Sequence, residues 1–159
     1  MQRAPELIPL SHQHHHGLAA AKRVLGTLDI DTSDAGTRML AEQAAHFHKI
    51  DLEPHFVAEE TWLLPHAPAA LRERTLTDHS QLRALVEFGS DLSAVREQLR
   101  TWSDMLTQHI RFEERELFPA LQGLLSTEQL RHIGRELESL ETENPVLPGK
   151  PFDELRAGS

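Results

Sequence analysis

The sequence predicts an all-α protein, an antiparallel up-and-down four-helix bundle with an additional short C-terminal helix. Three observations predict it. Apolar residues recur at steps of three and four over long stretches, strict alternation never lasts beyond a few residues, and short breaks rich in proline, glycine or polar residues separate the stretches. Long helices joined by short loops pack most simply as antiparallel neighbours.

The first helix is predicted from Pro9 to about Leu28, where Leu10, His14, Leu18, Ala21, Leu25 and Leu28 form one apolar stripe that includes a histidine. "DIDTSDAG" breaks the pattern, and Ser33 or Asp34 can cap the next helix. That second helix is expected from about Ala35 to Leu64, with a kink or short break before His55, because Pro54 lacks an amide proton and clashes one turn back. The third is expected from about Ala69 to Phe88, with His79 flanked by Leu76 and Leu82, and "GSD" turns the chain. The fourth is expected from Leu92 to Phe118, stopping near Pro119. A fifth, shorter helix is expected from Thr127 to Leu140 behind the polar start "STEQ". Residues 1–143 are thus read as one bundle domain, and residues 144–159, rich in proline and glycine, as a flexible tail.

Composition narrows the chemistry. The 159 residues carry a formal net charge of −9, eleven histidines and no cysteine. Without thiolates there is neither a disulfide nor a sulfur ligand, and any metal must be held by nitrogen and oxygen, which favours iron, manganese or zinc. No basic stripe suits nucleic acid, and no apolar stretch approaches a membrane span. A cytoplasmic location is the expectation.

One pattern is written twice. "HFVAEETWLLP" runs from His55 to Pro65 and "HIRFEERELFP" from His109 to Pro119, so His-x-x-x-Glu-Glu-x-x-Leu-x-Pro recurs. Each copy sets a histidine one turn before a glutamate, on the same helix face. The second and fourth helices run parallel in such a bundle, so His55/Glu59 and His109/Glu113 can face each other at similar depth. Two carboxylates between two cations neutralise charge, while imidazoles supply neutral nitrogen donors. His14 and His79 add one histidine from each remaining helix. The doublets Glu59–Glu60 and Glu113–Glu114 leave one glutamate of each pair for solvent or for supporting the other.

With these residues in view, the chain resembles the hemerythrin-like, HHE cation-binding family of helical bundles. "PLSHQHHHGL", "HFVAEETWLLP", "LTDHSQL" and "HIRFEERELFP" look like the signatures of its four helices, in the right order, over roughly residues 7 to 121. The resemblance implies two iron ions, oxo- or hydroxo-bridged. Terminal ligands would be His14, His55, His79 and His109, with Glu59 as one bridge. Family members differ over the other, which points to Glu113 or Glu114; Glu113 is preferred here because it repeats the His55/Glu59 spacing. Oxygen-carrying members place two histidines one turn apart on the third helix, whereas here Arg83 follows His79 at that interval and Thr75 precedes it. One iron is therefore expected to be more open, or to take His15 or His48. The implied function is binding of, or reaction with, dioxygen, peroxide or nitric oxide, or a redox or iron- or oxygen-sensing role. The alternative is a helical interaction or sensory module with a structural metal or none.

Overall fold

The computed structural model describes residues 2–143, with side chains to residue 140; the expected tail, residues 144–159, lies outside the described residues. A short 3₁₀ turn, Pro5–Leu7, leads into α1, Ile8–Ile30. α2 spans Asp34–Phe47, α3 Glu53–Ala58, α4 Ala69–Leu85, α5 Leu92–Phe112, α6 Phe118–Leu124 and α7 Thr127–Glu143. No strand occurs among the described residues. α2 and α3 form one continuous rod, as do α5 and α6, so the bundle has four rods and α7 is the added fifth helix.

Polar residues start the helices. Ser33 Oγ accepts from the Gly36 amide at 3.0 Å, and Asp91 caps α5 by accepting from Ser93 and Ala94. Ser126 and Gln129 satisfy each other's amides reciprocally at the start of α7. Arg96 fixes the first corner, donating to the carbonyls of Leu28 and Asp31 and to Thr37 Oγ1.

Proline does not break the long rods. A π-turn precedes each internal proline: His48–Leu52 before Pro54, Glu59–Leu63 before Pro65 and Glu113–Leu117 before Pro119. In each, the amide just ahead of the proline bonds five residues back, from Glu53 to His48, Leu64 to Glu59 and Phe118 to Glu113. The wider turn relieves the clash between the proline ring and the carbonyl one turn earlier. Hence the second rod is unbroken at Pro54, and the fourth does not stop near Pro119 but continues to Leu124. The third helix ends at Leu85, short of the expected Phe88.

Cross-rod pairs set the directions. Arg3 meets Glu114 and Gln122, His14 meets Glu114, and Arg96 meets Leu28, so α1 runs against α5. Asp78 meets His109 while Gln98 meets Leu85, so α4 also runs against α5. Two apolar clusters fill the interior. One gathers Val24, Leu28, Phe47, Leu99 and Trp102; the other gathers Leu7, Leu63, Leu117, Phe118 and Leu121. Between them, along every rod, sit the buried polar residues His14, His55, Glu59, His79, His109 and Glu113. Leu76 departs from expectation: it is exposed, and Thr75, one turn before His79, takes the inward place.

Candidate metal centre

Each rod delivers one histidine to the layer between the apolar clusters. His55 and His109 stand one turn before Glu59 and Glu113, and all four are buried. Both glutamates also open a π-turn, a distortion frequent at functional sites. The repeated proline of the motif thus has a structural role: it places the widened turn immediately after the inward glutamate.

The donor atoms converge in two groups that share both carboxylates. One atom each from His14, His55, Glu59 and Glu113 lies within 4.8 Å of the others, and the same holds for Glu59, His79, His109 and Glu113. His14 and His55 approach through their Nε2 atoms at 3.1 Å. His55 Nε2 stands 3.1 Å from Glu59 Oε1, and His79 Nε2 stands 3.5 Å from the same oxygen. His109 Nε2 rests against Glu113 Oε1.

What faces outward fixes what faces inward. His14 Nδ1 donates to Glu114 Oε1 at 2.7 Å, His55 Nδ1 to Gln13 Oε1 at 2.6 Å, His79 Nδ1 to Glu60 Oε1 at 2.9 Å and His109 Nδ1 to Asp78 Oδ2 at 3.1 Å. These partners assign the proton of each ring to Nδ1 and turn the Nε2 atoms towards the centre. The pattern has approximate twofold symmetry. Gln13–His14 on α1 corresponds to Asp78–His79 on α4, and Glu114 corresponds to Glu60.

Arg83 replaces a ligand with a support. It occupies the position one turn after His79, donates through Nη1 to Glu60 at 2.8 Å and through Nε to Glu53 at 2.9 Å, and so backs the carboxylate that holds His79. Each of the two donor groups contains two histidines. His15 is exposed and His48 turns its Nε2 to Glu53 at 3.1 Å, so neither joins the groups. Glu113 faces the centre, and Glu114 binds His14 from outside. Phe56 stacks on the His79 ring, with centroids 3.9 Å apart, and shields it from water.

Burial and mutual contact set the charges of these groups. Burial holds the His55 imidazole well below its usual range and lowers His79 to about 4, so both are neutral near pH 7. Burial, reinforced by Glu113, pushes Glu59 well above the carboxylate range. Burial opposes charge on His109, but Glu113 and Asp78 prevail and raise it to about 9, while His109 in turn holds Glu113 well below its usual range. Glu114, despite burial, is brought to about 2 by His14 and by Ser11 and Arg3. Both oxygens of Glu59 and of Glu113, with Nε2 of His79 and His109, lack a hydrogen-bond partner of proper geometry. Such atoms are costly to bury, and a shared cation on each side would satisfy them. Nitrogen and carboxylate donors in this number suit a divalent first-row metal.

The outer partners Gln13 and Asp78 escape a reading by periodicity. Their signal is position, since each immediately precedes a histidine of the apolar stripe.

A four-rod bundle with histidines and glutamates converging in its interior defines a cation-binding helical bundle protein. The family model of the hemerythrin HHE cation binding domain matches residues 6–121, more than half of the chain, and the protein belongs to that family. Comparisons with curated proteins and with solved structures gave no match.

Proposed function

We propose that the protein holds two iron ions and reacts with dioxygen or a related small ligand such as peroxide or nitric oxide. His14 and His55 would hold one ion and His79 and His109 the other, with Glu59 and Glu113 offering carboxylate oxygens to both. The observation that carries this reading is the set of buried, unpartnered carboxylate oxygens lying between two pairs of histidines. Bound iron would supply redox couples and coordination positions open to a small ligand. The chain supplies the rest: Glu60, Glu114, Asp78 and Gln13 orient the imidazoles, and Phe56 keeps water from His79. Residues 1–143 act as one domain in this reading. Iron bound per chain, with an optical spectrum before and after reduction, tests it: stoichiometric iron with near-ultraviolet bands lost on reduction supports the reading, and iron-free protein after loading refutes it.

A sensory reading has its own support in α7. Its His132 ring meets Trp62, in the π-turn that begins at Glu59, with centroids 5.8 Å apart. Metal- or oxygen-dependent hydrogen exchange in α7 would support it, and identical exchange in all states would count against it.

A further inference from the structure

Three histidines of α1 take no part in the buried centre. His12, His15 and His16 occupy about one turn of the helix around the inward His14. His12 and His15 are exposed and His16 is half-buried. His15 follows His12 by three residues and His16 follows it by four, the two intervals at which helix side chains are neighbours, with Cβ atoms about 5–6 Å apart. His12 therefore stands between the other two on the helix surface. The His12 and His15 rings already meet edge to face, with centroids 6.2 Å apart. A cavity of about 830 Å³ opens beside α1, and His12 and His16 line it together with the buried His14 and His55.

What binds a ring decides what it is free to bind. Each histidine of the buried centre has its Nδ1 engaged by a carboxylate or amide oxygen. Among the described residues no hydrogen bond or ion pair engages His12, His15 or His16. Each neutral imidazole of the three thus keeps one ring nitrogen with an open lone pair. The donors select the ligand. Nitrogen donors with no carboxylate among them suit zinc, nickel or copper(II), whereas magnesium, calcium and manganese favour oxygen. Histidines at i and i+4 are also the arrangement by which a helix grips zinc in His-Glu-x-x-His sites. The formal net charge of −9 draws cations to the surface, and Lys49, which lines the same cavity, is exposed to water that screens its charge.

We propose that His12, His15 and His16 form a second, solvent-facing metal site on α1, which takes one zinc, nickel or copper(II) ion with water completing its coordination. Closing on the ion takes rotation of side chains alone, which exposed residues make within nanoseconds. Ferrous iron stands below nickel and copper in affinity for such donors, so iron is kept by the carboxylate-rich centre and not by this site. The site uses none of the buried donors and does not depend on the two-iron reading.

Nickel(II), which is paramagnetic and broadens the NMR signals of the rings it binds, tests it on the full chain carrying isotope-labelled histidine. Substoichiometric nickel should broaden the ring signals of His12, His15 and His16 before those of His46, His66 and His132, which are exposed but stand apart from one another. Magnesium in large excess should not restore them. His12→Ala, at an exposed helix position that suits alanine, should keep the helix content and bring His15 and His16 down to the response of the isolated histidines. The proposal is overturned if the three broaden no earlier than the isolated rings or only in step with His14 and His55. Recovery in magnesium, or an unaltered response of His15 and His16 in His12→Ala, overturns it as well. The rings of His14, His55, His79 and His109 report the buried centre separately, so either site can fail without the other.

Discussion

Glu114 and Glu60 each hold one histidine from outside, and exchange for glutamine keeps an acceptor while removing the charge that makes the imidazole a better donor. Glu114→Gln should weaken the ion beside His14 by about 10–100-fold, and Glu60→Gln should do the same to the ion beside His79. Stepwise metal titration by calorimetry would resolve the two. Protons respond to the same residues. In the metal-free protein His109, raised to about 9, holds a proton near pH 7 that a cation must displace. Metal uptake at pH 7 should therefore release on the order of one proton per chain from His109, read with a pH indicator in weak buffer. Much of the site was legible because periodicity places His14, His55, His79, His109, Glu59 and Glu113 on inward faces. Gln13, Asp78 and Arg83 were not, since their bonds depend on how neighbouring helices are rotated.

Arg96 ties α1 to α2 at the end of the bundle away from the metal centre, through two carbonyls and a threonine hydroxyl. Arg96→Ala should cost about 1–3 kcal/mol in denaturant unfolding, because these half-buried acceptors lose a charged donor. Metal affinity should be unchanged, since the corner is separated from the centre by the Leu28–Trp102 cluster. Helix number and order followed from the apolar stripe, the cap at Ser33 and the turn at "GSD". The continuity past Pro119 did not. Proline signals an end in an ordinary α-helix, and only the π-turn at Glu113–Leu117 makes it compatible with a continuing rod. The cavity beside α1 was equally hidden, because it depends on the distance between helices whose sequences each read as ordinary amphipathic stripes.

The metal-free fold is held by apolar clusters on either side of a layer of buried polar groups, so cation binding and stability are linked. His109, with a folded value of about 9 against 6.5, stabilises the metal-free fold fully below pH 6.5 and loses that contribution as pH rises through 9. Glu59, raised when folded, acts in the same direction as the unfolded chain ionises above its usual carboxylate value. The melting temperature of metal-free protein should thus fall between pH 6.5 and 9 on account of His109, and the stabilisation given by metal should grow over that window. At free metal about 100 times Kd, that stabilisation should be about 2.7 kcal/mol per site. Among the described residues no helix is long and apolar enough to cross a membrane. The most direct test of the two-iron centre is anaerobic titration of metal-free protein with ferrous iron, counting equivalents bound per chain and recording the spectrum after admission of oxygen. Saturation at two equivalents with near-ultraviolet bands that disappear on reduction is the predicted result, and saturation at one equivalent, or no binding, would contradict it.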